Sequence, residues 1–217
     1  MKNCEHGRSM IEMLGVLAIV GVLSVGGLAG YSKVMHQYKI NAALEQIAMI
    51  SSKLSSYGAG VDSYAGLSNK SAYKLRAIPA SAVEDCEGSG SNSPCKLINP
   101  FGGSVTVEPS NIEGNGEDEQ AYAIIYEGLT QEACISIGSN TWFQSKGDSL
   151  LGIGVGKKAK KDAIKTAIYQ GCSSTEIGSA DEMSIACSAG DMPMDVTNAA
   201  IACDCPASDC VFVVKFF

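Results

Sequence analysis

After a short polar stretch, the chain runs for twenty uncharged residues, Met13 to Ser32, before the next charge at Lys33. Twenty helical residues at about 1.5 Å each match the roughly 30 Å hydrocarbon thickness of a bilayer. The pattern predicts a transmembrane helix over about 13–32. Beyond it the periodicity changes. Ile40, Ala43, Leu44, Ile47, Ile50 and Leu54 recur at three- and four-residue steps, while Lys39, Glu45, Gln46 and Lys53 lie off that stripe. Such spacing belongs to a helix that buries one face. Gly58 and Gly60 end it. One helix is therefore expected from about Ser9 to Tyr57, its first half in lipid and its second half packed on a soluble head.

Residues 58–217 are enough for one domain with its own core. Ser104 to Glu108 alternates apolar and polar after the turn Asn99-Pro100-Phe101-Gly102-Gly103. Ala121 to Tyr126 and Val211 to Phe217 are further β-rich runs. Leu129 to Ile137 reads as a short helix. Lys157 to Tyr169 reads as another, with Ala159, Ala163, Ile164, Ala167 and Ile168 on a stripe. The expected fold class is α+β: a long N-terminal helix packed on an antiparallel sheet head with a disulfide-rich C-terminal region.

Composition narrows the function. The formal net charge is −7, which argues against a general nucleic-acid binder, because neutralising phosphates needs a basic surface. Cys4 aside, eight cysteines remain: Cys86, Cys95, Cys134, Cys172, Cys187, Cys203, Cys205 and Cys210. An even set beyond a membrane anchor reads as disulfides in an oxidising compartment. The Gly- and Pro-containing loop from Glu87 to Pro94 suits a local Cys86 to Cys95 bridge, and the other six can pair in fifteen ways. A zinc site at Cys203, Cys205 and Cys210 is the rival, but it lacks paired Cys-x-x-Cys spacing and the head has no histidine, His6 and His36 both preceding it. Without histidine, Ser-His-Asp and Cys-His constellations cannot be built there. The run Gly152 to Lys158 resembles a phosphate loop only superficially, since Leu151 and Lys158 stand where that loop needs Gly and Ser or Thr. No enzyme activity, metal or cofactor is expected.

The junction before the apolar run is more specific. Gly7-Arg8-Ser9-Met10-Ile11-Glu12 resembles the processing site of type IV prepilins and pseudopilins, in which a short leader ends in Gly and the fifth mature residue is Glu. The resemblance implies a leader over 1–7, cleavage between Gly7 and Arg8, and an assembly role for Glu12. Arg8 stands where the family has an apolar residue that becomes N-methylated. Ala29, flanked by Gly26, Gly27 and Gly30, stands near where many members have a helix-bending Pro. A carboxylate at the edge of an apolar span costs about 2–3 kcal/mol, so it usually has a partner. The α-amino group freed at Arg8 supplies one on a neighbouring subunit. Gly15, Gly21, Gly26, Gly27 and Gly30 would let such helices approach closely, at about 1 kcal/mol of helix propensity each.

The Asn99 to Gly103 turn, the strand after it and the Cys134 helix look like the larger type IVb pilins. The implied function is that of a pilus subunit for surface attachment, aggregation, motility or conjugative contact. By resemblance its partners are a prepilin peptidase, an inner-membrane assembly platform and further copies of itself as a homopolymer. Its location would be the inner membrane, head in the periplasm, before assembly and the cell-surface pilus afterwards. The competing readings are a pseudopilin of a type II secretion-like system and a membrane-anchored binding module that never polymerises. Two charge blocks, Glu113, Glu117, Asp118 and Glu119 against Lys157, Lys158, Lys160, Lys161 and Lys165, are expected either to meet between subunits or to be solvated faces.

Overall fold

A computed structural model describes residues 10–86, 95–112, 119–141, 149–168, 185–188, 194–206 and 208–217. Helix α1 runs without a break from Met10 to Gly58. The chain divides into two compact units, one ending at Tyr38 and the other running from Lys39 to Phe217. In the first, the apolar side chains of α1 are exposed, from Ile11 through Leu28. In the second, the whole predicted stripe is buried: Ile40, Ala43, Leu44, Ile47, Ile50 and Leu54. Burying one such large aliphatic side chain stabilises by about 1.5–3 kcal/mol, so the stripe is what fixes this half of α1 to the head.

The remaining elements are α2 (Asn69–Lys74), a 3-10 turn (Ala80–Ala82), β1 (Val83–Asp85), β2 (Lys96–Ile98), β3 (Ser104–Ser110), β4 (Ala121–Leu129), α3 (Gln131–Gly138), β5 (Leu150–Lys157), a second 3-10 turn (Lys158–Lys160), α4 (Lys161–Ala167), β6 (Ile185–Ser188), α5 (Val196–Ala202) and β7 (Cys210–Phe216). The strands form one antiparallel sheet in the order β1-β2-β3-β4-β7-β5-β6. Strand β7 thus lies between β4 and β5, with Tyr122 opposite Phe216 on one side and Leu150 opposite Phe216 on the other.

Successive strand residues point to opposite faces, and both faces of this sheet are covered. Tyr122, Ile124, Tyr126, Phe212, Val214 and Phe216 join the α1 stripe in the main core, together with Ala133, Cys134 and Ile137 of α3 and Ala199 and Ala202 of α5. Ala123, Ile125, Val211 and Val213 form a smaller core with Ile164 of α4 and with Ile168. The glycine-rich run is strand β5. Gly152, Gly154 and Gly156 pair with Lys215, Val213 and Val211 and so lie on the face covered by α4, where the absence of side chains leaves it room.

Several boundaries differ from the sequence expectation. Strand β4 continues through Gly128, at φ +74°, to Leu129. Thr130 then caps α3 by accepting a hydrogen bond from the Ala133 amide at 3.3 Å. The lysine-rich helix is shorter than its stripe predicts, because Lys157 still pairs with Cys210 in the sheet; Tyr169 lies outside the described residues. Gln46, expected on the solvent side of α1, is buried. The reason is Tyr126, whose hydroxyl donates to Gln46 Oε1 at 3.1 Å. A tyrosine taken into a core brings a polar group that needs a partner. Tyr122 does the same one turn on, donating to the Ser51 carbonyl at 3.1 Å.

Two asparagines finish the sheet. Asn99 is buried in the β2–β3 turn, where its Oδ1 accepts from the amides of Phe101 (2.9 Å) and Gly103 (3.1 Å) and its Nδ2 donates to the Glu127 carbonyl (2.9 Å). A Cβ on Gly103 would sit 1.8 Å from that same carbonyl oxygen, so only glycine lets the turn approach β4. Asn69, at the start of α2, donates to the Val105 carbonyl at 3.0 Å and accepts from the Val107 amide at 2.7 Å. Its amide group takes up the outer edge of β3 from Val105, the last residue paired with β2, to Val107 beyond it. Asn99→Ala leaves three backbone groups without their partner and is expected to cost about 2–3 kcal/mol. Thermal unfolding of the full chain in detergent should show that as a clear drop in Tm; a Tm unchanged from the native sequence would contradict this role.

Candidate functional site

The candidate assembly surface is the first unit of α1. It offers a helix whose 18-residue window reaches a mean hydropathy of 2.2 with none of it buried. Glu12 is in its first turn and exposed. Gly7 and Arg8 lie outside the described residues. A Cβ added at Gly15, Gly21, Gly26, Gly27 or Gly30 would meet nothing within 4 Å, so nothing in the isolated subunit requires a glycine there. A contiguous apolar surface of this size is not stable in water. Lipid or other apolar helices must cover it.

The head is stapled. Cys86 pairs with Cys95, Cys134 with Cys203, and Cys205 with Cys210. The second bond joins α3 to the residue that caps α5, across 69 residues of chain. In the chain-entropy account such a loop contributes about 4 kcal/mol, against about 2 kcal/mol for the five-residue separation of Cys205 and Cys210. Cys172 lies outside the described residues, and Cys187 is placed by its backbone in β6 opposite Ile153. Among the described residues no cluster of His, Cys, Asp and Glu has the arrangement of a metal site.

The lysine block is engaged within its own subunit. Glu127, on the α4 face of β4 and almost wholly buried, receives Lys158 at 3.0 Å, Lys161 at 3.0 Å and the Ser104 hydroxyl at 3.1 Å. Lys165 pairs with Glu108 of β3. The expectation that these lysines meet an acidic loop on a neighbour is therefore corrected for Lys158, Lys161 and Lys165. Of that loop, Glu113, Glu117 and Asp118 lie outside the described residues, and Glu119 uses its backbone to accept from the Tyr64 amide at 2.8 Å. Glu127 and Glu108 escaped the sequence reading. The available signal was an acid at the end of a strand otherwise apolar on both faces.

Burial alone would push the Glu127 carboxyl up. The hydrogen bonds from Lys158 and Lys161, the Lys161 charge and the Ser104 hydroxyl overturn that and hold it below the ordinary carboxylate value. Lys161 is raised in return, chiefly by its hydrogen bond to Glu127. The buried hydroxyls of Tyr122 and Tyr126 are pushed well up by desolvation, so neither ionises in the working range.

An exposed apolar helix that continues into a helix clamped on a disulfide-bonded antiparallel sheet is the architecture of a pilin-like protein of the type IVb kind. The chain has the fold of a type IVb pilin from Salmonella typhi, known from its crystal structure, with a TM-score of 0.52 at 16% identity over 80% of this chain and 97% of that one. It is 26% identical, over 90% of its length and 94% of theirs, to proteins described as the major structural subunit of bundle-forming pilus in Escherichia coli O111:H- and in Escherichia coli O127:H6 strain E2348/69. Residues 37–215 match the family described as PilS N terminal, and the chain belongs to that family.

Because the folded-state pKa of Glu127 is depressed, its stabilising contribution is complete above the unfolded-state value near 4.5 and is lost as pH falls through the lower folded value. Glu127→Gln should therefore be less stable than the native sequence at pH 7, and the gap should narrow on acidification below about 4.5. Urea unfolding followed across pH 3 to 7 reads this out. A gap that stays constant would show that the pairing adds nothing.

Proposed function

We propose that this type IV pilus subunit is inserted in the inner membrane by the apolar part of α1, trimmed by a prepilin peptidase after Gly7, and added by an inner-membrane assembly platform to a homopolymer. In this reading residues 1–7 are a leader, 8–57 the assembly helix with its transmembrane part at about 13–32, and 58–217 a head held in the periplasm until it coats the fibre at the cell surface. Surface attachment, aggregation, motility or conjugative contact are then outputs of the fibre. The observation that carries the reading is the exposure of every large apolar side chain from Met10 to Leu28 on a helix whose continuation is buried in the head. In the fibre those side chains find one another, which removes them from both water and lipid.

Glu12 sets the register. Moved with the helix into an apolar bundle, its carboxylate is costly unless it meets a cation. The α-amino group of Arg8 on an adjacent subunit supplies one only when the two helices are correctly staggered. The pilin relatives support polymerisation. The eight head cysteines are read as four bridges.

Material sheared from the cell surface should contain filaments of a chain that begins at Arg8 and is eight hydrogens lighter than its reduced form. If unreduced mass spectrometry instead finds residues 1–7 still attached in a membrane-bound, unpolymerised chain, the proposal fails. Glu12→Ala should abolish or severely reduce filaments while leaving head stability within about 0.5 kcal/mol. Filament yield and thermal unfolding separate these, and abundant filaments from that variant would remove Glu12 from the assembly step.

A further inference from the structure

Charge is distributed unevenly over the head. Residues 58–217 carry twenty Asp and Glu against eleven Lys and Arg, yet no acid occurs from Gln46 to Val61 or from Ser63 to Val83. Those stretches are the last turns of α1 and the segment that holds α2, and they meet. The Tyr57 hydroxyl of α1 donates to the Leu75 carbonyl at the end of α2, at 3.1 Å. Lys53 lies four residues before Tyr57, where helix positions are neighbours on one side, and both are exposed. Lys74 and Arg76 flank Leu75 and are also exposed. Tyr57 and Tyr73 are 48% and 36% exposed, so two tyrosine rings stand among three cations. Asp62, the acid between the two stretches, lies in the cleft beyond Gly58 with Gln120 and Phe217.

These cations differ from the lysines of α4, which Glu127 and Glu108 take up. Among the described residues the side chains of Lys53, Lys74 and Arg76 make no ion pair or hydrogen bond. Arg76 is also held at a cost. Helix α2 closes with the Arg76 amide on the Tyr73 carbonyl (2.9 Å) and the Ala77 amide on the Ala72 carbonyl (3.0 Å), which puts Arg76 in the left-handed region at φ +56°. Glycine is the usual residue there, because a side chain is disfavoured at positive φ. An arginine without a partner in its own chain, standing where it lowers stability, points outward to a ligand.

The composition of this corner selects the ligand. A guanidinium beside two ammonium groups suits a carboxylate or sulfate, to which arginine can give two parallel hydrogen bonds. Lysine is depleted in protein–protein interfaces, and a long polyanion would meet the excess acid elsewhere on the head. A short anion escapes both objections. The exposed tyrosines add flat apolar faces with a polar edge, which match the face of a pyranose ring. We propose that this corner binds the terminal acidic sugar of a surface saccharide, its carboxylate or sulfate held by Arg76, Lys53 and Lys74 and its ring set against Tyr57 or Tyr73. This gives a ligand class to the surface attachment proposed above and rests on that reading for display of the head, whereas binding itself is a property of the single chain.

The test is titration of the full-length chain, in a detergent without a sugar headgroup, with sialyllactose, lactose and inorganic sulfate, followed by saturation-transfer NMR. Sialyllactose should bind about tenfold more tightly than lactose and should lose affinity as salt is raised. Arg76→Gly should bind it about tenfold more weakly while unfolding at the same or a higher temperature, a combination that damage to the fold does not produce. Lys53→Gln/Lys74→Gln, at exposed positions, should weaken binding in the same way and decides the matter even where Arg76→Gly does not fold. Lys96→Ala removes an exposed charge from another part of the head and should change nothing. Sialyllactose fixed to a surface through its reducing end should capture the chain as the free sugar does. Equal binding of lactose and sialyllactose, full displacement by an equal concentration of sulfate, or undiminished binding by the variants of Arg76, Lys53 and Lys74 overturns the proposal. No filament is needed for this readout, so its failure is distinct from a failure of the pilus reading.

Discussion

The insertion of β7 between β4 and β5 holds the head together. Every long strand of the sheet pairs with it directly or through one neighbour, and its two faces feed both cores. Phe212, Val214 and Phe216 meet the α1 side, while Val211 and Val213 meet α4. Without β7 the sheet is two fragments, β1 to β4 and β5 to β6, each with an unpaired edge and an exposed apolar face. The buried half of α1 depends on the same strand. Phe216 stacks on Tyr122 at 5.5 Å between ring centres, and the Tyr122 hydroxyl reaches the Ser51 carbonyl of α1.

Glu127 adds a polar constraint to that apolar frame. Its carboxylate fixes the turn and helix that follow β5, its carbonyl accepts from Asn99, and its strand neighbour Tyr126 bonds to Gln46 of α1. One short stretch of β4 therefore ties together the β2–β3 turn, α4 and α1. The apolar cores supply most of the free energy, but they leave register and orientation loosely determined. Directional bonds at this point select one arrangement.

Much of this was legible in the sequence, and the misses have physical causes. The α1 stripe was readable because six residues repeat one period, and β3, β4 and β7 were readable because they are long and β-branched. Strands β1, β2 and β6 are three or four residues each, too short to show alternation. Gln46 was misplaced because helix periodicity cannot register a tyrosine hydroxyl arriving from eighty residues away. The lysine helix was read as a surface because its acidic partners belong to strands that only the tertiary fold brings near. In the first unit of α1 the exposed apolar run announced itself, since a membrane-length segment needs no tertiary context. The bond between Cys134 and Cys203 did not, because spacing leaves fifteen arrangements equally open.

The amide of Asn69 on the outer edge of β3 has a consequence for a protein that exists as a crowd of identical heads. A sheet margin with free amides and carbonyls is a template for the next chain, and identical copies at high local concentration would extend it into a cross-β stack. Just past the Val105–Leu97 pair, where β2 ends, the Asn69 side chain takes up the Val107 amide, and Pro109 removes a donor two residues on. Along this stretch of β3 a neighbouring head is therefore denied a register to pair with.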